Sequence, residues 1–133
     1  MNKKQKIWAN FSVKDAKRTD QFYKDLGFTP TWPNSKDPQL ASFLFGEANF
    51  VIHFFEEGST IDEFITPGSK ENNETIFTLS AETEQEVNEF ANKVKNAGGN
   101  IIKSVERDKE NYYGFAFTDP DGHKFNVILM DNM

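Results

Sequence analysis

The sequence predicts an α+β domain of two βαβββ modules, their strands joined in one mixed sheet that curls into a cup with the helices on its outer face. Three observations predict it. Stretches of period 2 and period 3.6 follow one another as strand, helix, strand, strand, strand, and this order runs twice at a spacing of roughly 65 residues. Both helical stretches stop at glycine, Gly27 in the first module and Gly98-Gly99 in the second. Both begin at a residue suited to cap an N-terminus, Asp15 and Thr83.

The first strand is expected over Lys6–Lys14. Ile7, Ala9, Phe11 and Val13 point to one side, and Trp8, Asn10 and Ser12 to the other. The helix from Asp15 to about Leu26 turns Phe22, Tyr23 and Leu26 inward. Phe28–Trp32 reads as a short strand, and Pro33–Pro38 as a polar loop. Leu40–Phe45 and Asn49–Phe55 form the next two strands around a turn at Gly46-Glu47. Module one thus spans about residues 5–57, and an apolar-poor linker follows over about 58–73 with one helical turn near Ile61–Ile65.

Module two covers about residues 74–131. Its first strand is Glu74–Ala81, and Thr83 with Glu86 predicts a capping box. Val87, Phe90, Ala91, Val94 and Ala97 give the helix its apolar face. Strands at Ile101–Val105, Tyr112–Thr118 and Lys124–Met130 complete it. Asp119-Pro120-Asp121-Gly122 is the hairpin turn between the last two, since proline presets one dihedral and glycine permits positive φ. Residues 1–133 are read as one domain.

Composition excludes several functions. With no cysteine there is no disulfide, thiolate metal site or cysteine nucleophile. A net charge of −6 disfavours nucleic acid as partner, because a phosphate backbone calls for a basic stripe. No apolar run reaches the roughly 18 residues of a membrane span, and none of signal-peptide length follows the basic Met1–Lys6. The expected location is the cytoplasm. The glycines at 98 and 99 follow a helix, which excludes a dinucleotide fingerprint, and Ser12 and Ser80 have no base in sequence reach. Most of the fourteen phenylalanines belong to the core.

Ile7-Trp8-Ala9-Asn10-Phe11-Ser12-Val13-Lys14-Asp15, then Phe22-Tyr23 and Leu26-Gly27-Phe28, resembles the opening of glyoxalase-like proteins. Ala97-Gly98-Gly99 and Asp119-Pro120-Asp121-Gly122-His123 resemble their second half. The chain is therefore similar to the glyoxalase/bleomycin-resistance protein/extradiol dioxygenase superfamily, the vicinal oxygen chelate fold. That superfamily holds isomerases, extradiol dioxygenases, epimerases, fosfomycin-modifying enzymes and metal-free drug-binding proteins, so fold alone does not select a chemistry.

The resemblance implies a divalent metal held by His, Glu or Gln from the first, fourth, fifth and eighth strands. Those places fall on Trp8, His53, Ile76 and Asn126. Only His53 is a competent ligand; Asn126 is weak, and Trp8 and Ile76 bind no metal. No cofactor is expected, a divalent metal being the disfavoured alternative. The four side chains are expected to converge in the cup, with Asn10, Ser12 and Thr78 as further polar groups for a small ligand.

His53 is either a satisfied structural histidine or a ligand contact and candidate general base. Trp8 either stacks on a ring or cation or fills the space a metal would take. Trp32 lines the mouth of the groove or packs on a neighbouring subunit, and one of Tyr112 and Tyr113 faces the cup. His123 is read as a structural or solvent residue, and Glu56-Glu57 and Glu84–Glu89 as solvated faces. The first expectation is a protein that binds an aromatic or cationic small molecule without a metal. A lyase, isomerase or dioxygenase-like enzyme with a shifted metal site at His53 is the second, and a non-catalytic scaffold or regulatory relic the third. The resemblance also implies a homodimer.

Overall fold

A computed structural model describes residues 6–66 and 75–130. The chain divides into two compact units, Met1–Ser69 and Lys70–Met133.

The first unit contains β1 (Ala9–Val13), α1 (Ala16–Asp25), β2 (Thr29–Pro30), β3 (Leu40–Phe45) and β4 (Phe50–Glu56), then a 3-10 turn at Thr60–Glu63. Its sheet order is β1-β4-β3-β2, with β1 and β4 parallel and the other pairs antiparallel. Asp15 caps α1 as expected, its carboxylate accepting from the amides of Lys17 and Arg18. Glu56, expected to face solvent, instead accepts from the Ala16 amide at 2.9 Å and so ties the end of β4 to the start of the helix. Gly27 follows the helix at φ +95°, a conformation that glycine adopts at no steric cost.

Alternation then decides which face is core. Phe22 and Tyr23 from α1, and Leu26 at its C-cap, are buried with Phe43, Phe45, Ile52 and Phe54. Tyr23 sits at the centre, stacked on Phe54 at 4.7 Å and meeting Phe43 and Phe45 at 5.6 and 5.5 Å. Burying such rings contributes about 1.5–3 kcal/mol each.

The second unit contains β5 (Ile76–Ala81), α2 (Glu84–Ala97), β6 (Asn100–Arg107), β7 (Tyr113–Thr118) and β8 (Lys124–Leu129), in the sheet order β5-β8-β7-β6. This is the same order, with the same single parallel pair, as in the first unit. Thr83 caps α2 by accepting from the Glu86 amide, but the Glu86 carboxylate reaches the amide of Glu82 rather than that of Thr83. Val87, Ala91 and Val94 are buried with Phe115, Phe117, Phe125 and Val127. Phe117 and Phe125 lie nearly parallel, 5.3 Å apart. Much of the expected linker, from residue 67, and Glu74 of the expected strand lie outside the described residues.

The expected single curled sheet is not formed. The strands make two separate four-stranded sheets, neither curled nor closed into a cup. The reason lies in the ladders. The last strand of each unit returns to pair with the first strand of that same unit, so every ladder runs between strands of one unit. The opposite edges suit no extension: β2 is two residues long and ends in Pro30, which has no N–H, and β6 pairs with β7 through two register shifts. Among the described residues no helix is long and apolar enough to cross a membrane.

Candidate functional site

The sheet face of the first unit that points away from α1 carries the groups with chemistry. In β4, Ile52 and Phe54 turn to the helix, so Val51, His53 and Phe55 turn the other way. Register places His53 between Asn10 on β1 and Ser42 on β3. The Ser42 hydroxyl lies 2.7 Å from His53 Nδ1 and donates to Thr31 Oγ1 at 2.8 Å. Thr31 is held there because its amide donates to the Ser42 carbonyl.

Nδ1 is thus engaged by Ser42, which accepts from it or donates to it according to the tautomer, and Nε2 is the ring nitrogen not bonded to Ser42. Burial pushes the His53 pKa below its ordinary value, because desolvation disfavours the imidazolium. The group is a neutral imidazole with one acceptor nitrogen.

Aromatic rings surround it. Trp32 is stacked on the imidazole at 5.2 Å with planes 16° apart. Trp8 meets it edgewise at 6.1 Å, and Phe55 at 5.9 Å. Both indoles remain about half exposed, 49% for Trp8 and 51% for Trp32. On the same face Ser12, opposite Phe55, has a buried hydroxyl with no hydrogen-bond partner.

The expected site residues of the second unit form a group of their own. Thr78 and Asn126 face one another in the parallel β5–β8 pair, and the Thr78 hydroxyl donates to Asn126 Oδ1 at 2.5 Å. Ile76, 49% exposed, stands two residues before Thr78 on the same face. Tyr113 donates to Asn88 on α2, placing its hydroxyl on the helix side of that sheet. His123 is structural: its ring and its amide both bond the buried carboxylate of Asp119.

Thus the structure brings Trp8, Asn10 and His53 together in one unit, with Ser12 further along the same face, and Ile76, Thr78 and Asn126 together in the other. Sequence reasoning missed Thr31, Ser42 and Phe55. The signal for Ser42 was present, because a hairpin with Phe45 opposite Phe50 sets Ser42 opposite His53.

One imidazole and one amide do not fit a divalent metal, which needs several converging N and O donors. Among the described residues no group of three or more His, Cys, Asp or Glu side chains could hold one.

Comparison with known proteins agrees with the fold. Residues 7–127 match the family model described as Glyoxalase/Bleomycin resistance protein/Dioxygenase superfamily. The chain is similar to a hypothetical protein, SA1046, from S. aureus, at 31% identity, a TM-score of 0.81, and coverage of 94% of this chain and 93% of that one. It is also similar to a glyoxalase-related enzyme from Fulvimarina pelagi, at 16% identity, TM-score 0.78, and coverage of 94% and 88%. A third similarity is to the fosfomycin resistance protein FosX from Listeria monocytogenes, at 18% identity, TM-score 0.70, and coverage of 97% and 93%. The last two likenesses are of fold alone. With a family model that spans nearly the whole chain and a relative of this identity, the chain belongs to the glyoxalase/bleomycin resistance protein/dioxygenase superfamily.

Proposed function

We propose that this chain binds a small aromatic or cationic molecule on the open face of its first sheet, at His53, without a catalytic metal. One observation carries the reading: a neutral, hydrogen-bonded imidazole is bracketed by two half-exposed indoles. Exposed tryptophan faces attract flat rings and cations, the latter by about 0.5–2 kcal/mol per contact. His53 Nε2, the ring nitrogen not bonded to Ser42, then hydrogen-bonds the ligand and orients it. Asn10, beside His53 in the register, is a second polar contact. Ile76, Thr78 and Asn126 are proposed as ligand contacts within the second unit, and the protein as a cytoplasmic homodimer.

A second reading follows from the same imidazole. A neutral histidine is a competent general base, so a lyase, isomerase or dioxygenase-like activity centred on His53 is the alternative.

The test is a panel of small aromatic and quaternary ammonium compounds, followed by thermal unfolding in the parent protein and in the His53→Ala and Trp32→Ala variants. Ligand at 100 times its dissociation constant stabilises by about 2.7 kcal/mol, enough to raise the midpoint by several degrees. A rise in the parent protein that shrinks in both variants supports binding at this face. An equal rise in all three proteins moves the site elsewhere. Stoichiometric metal found by elemental mass spectrometry, and lost in His53→Ala, replaces the binding reading with the enzymatic one.

A further inference from the structure

A second concave site lies within the first unit, between α1 and the segment that joins β2 to β3. It is a groove of about 510 Å³, within the range of small-molecule pockets. Its walls carry Lys17, Lys24 and Lys36 against Asp20 and Asp37, on a chain whose net charge is −6. The sign of the local charge is therefore opposite to that of the protein.

Three of these five charges are engaged and two are not. Lys24 is held by Asp20 at 2.7 Å. The Asp37 carboxylate accepts from the Gln39 amide. Among the described residues neither Lys17 nor Lys36 makes an ion pair, so the groove presents uncommitted cations. The helix end adds nothing of its own, because the first amides of α1 are taken by Glu56 and Asp15.

Trp32 supplies the apolar wall. His53 covers one face of its ring, yet half of the residue is exposed, and it lines the groove together with Pro30 and Pro33. Those prolines stiffen the wall, and the Ser35 amide closes a turn on the Trp32 carbonyl. An indole beside two unpaired ammonium groups matches a flat ring that bears an anion.

We propose that this groove binds a small aromatic anion, its ring against Trp32 and its carboxylate or phosph(on)ate between Lys17 and Lys36. The site is distinct from the His53 face, although Trp32 and Ser42 border both, and the two take ligands of different charge.

The protein has two tryptophans, so a Trp8→Phe variant leaves Trp32 as the only indole reporter. Fluorescence of that variant is titrated at low salt with phenylphosphonate, benzoate, benzyl alcohol and benzylammonium, and with inorganic phosphate as competitor. The expected result is a saturable response to phenylphosphonate or benzoate, weaker for benzyl alcohol. Adding Lys17→Gln and Lys36→Gln together lowers the anion affinity about fivefold or more. Backbone amide shifts caused by phenylphosphonate should map to Lys17, Gln21 and Lys36. No saturation with either anion, or equal affinity after loss of both lysines, overturns the proposal. So does a preference for benzylammonium that those lysines do not alter, which would instead support the His53 reading. Failure at His53 with retained anion binding leaves this groove standing alone.

Discussion

The imidazole of His53 and the indole of Trp32 are stacked, with ring centroids 5.2 Å apart and planes 16° apart. Trp32 follows a two-residue strand and His53 lies in the middle of β4, so the contact depends on the hydrogen bonds that fix the chain at Thr31. The stack is also part of what removes water from the imidazole, which links a packing contact to a titration.

Trp32→Ala should raise the His53 pKa back towards its ordinary value near 6.5. Its lowering comes from desolvation, and removing the indole readmits water to one face of the ring. NMR titration of the His53 ring protons reads this directly. An unchanged midpoint would mean that the strands beneath, and not Trp32, dehydrate the group. The same variant should lose only about 0.5–1.5 kcal/mol of stability, the usual worth of one aromatic pair.

His53 makes folding pH-dependent in a defined window. Its folded pKa is lowered, so the unfolded chain binds the proton more readily than the native state does. Its contribution to stability is complete above the unfolded value near 6.5 and is lost as pH falls from there through the lower folded value. In His53→Gln this slope disappears. Urea unfolding at half-unit steps from pH 7.5 down to 4.5, for both proteins, gives the difference curve, from which the carboxylate contributions common to both cancel. A difference that is flat through this window would show that the imidazole titrates alike in both states.

Local chemistry was legible in the sequence, and cross-strand chemistry was not. Asp15, Thr83, Gly27 and Gly98 announce their helix ends because caps act within four residues, and all four stand where the pattern put them. The alternation of Ile52, His53 and Phe54 sorts core from open face correctly. Alternation does not say which strand accepts from which. The separation into two sheets, set by backbone ladders and blunt edges, was therefore read as one continuous sheet. Glu56 was read as solvated for the same reason, since its bond is to an amide 40 residues away. His53 was found from the family pattern, but its orienting partners Ser42 and Thr31 enter only through register.

Gly114 tolerates no side chain. A Cβ there would lie 2.0 Å from the carbonyl oxygen of Val127, which is a backbone atom of the paired strand and cannot rotate away. Gly114→Ala should therefore destabilise by about 1–3 kcal/mol or more through forced separation of β7 and β8. Deuterium exchange should show faster opening of the Phe115–Val127 region before the first unit responds. A melting midpoint within a degree of the parent would contradict the close approach.

Asp119 should be the most sensitive polar residue of the second unit. It is fully buried, and its carboxylate accepts from the amides of Asp121 and His123 while its other oxygen lies 2.7 Å from His123 Nδ1. Asp119→Ala leaves those donors without their partner, at about 1–3 kcal/mol for each buried group left unsatisfied. Asp119→Asn keeps one acceptor oxygen for the two amides and should cost distinctly less. Chemical denaturation of both variants ranks them, and a cost for Asn equal to that for Ala would place the stabilisation in the His123 contact rather than in the turn.

Ser12 predicts the opposite sign. Its hydroxyl is buried on the open face of β1 with no hydrogen-bond partner, so the native state bears a desolvation cost that alanine would not. Removing an unsatisfied polar group of this kind is neutral or stabilising, here by up to about 1 kcal/mol, because the hydroxyl recovers its water only on unfolding. Ser12→Ala should accordingly unfold at the same or higher urea concentration, with an unchanged dependence on urea. Ligand binding at His53 separates two origins of the orphan group. If Ser12→Ala is more stable alone but is stabilised less by an aromatic or cationic ligand, the hydroxyl is held in reserve for that ligand. If the ligand-induced rise is the same in both proteins, Ser12 is a packing compromise beside Phe55, and the contacts that orient the ligand are those of His53 and Asn10.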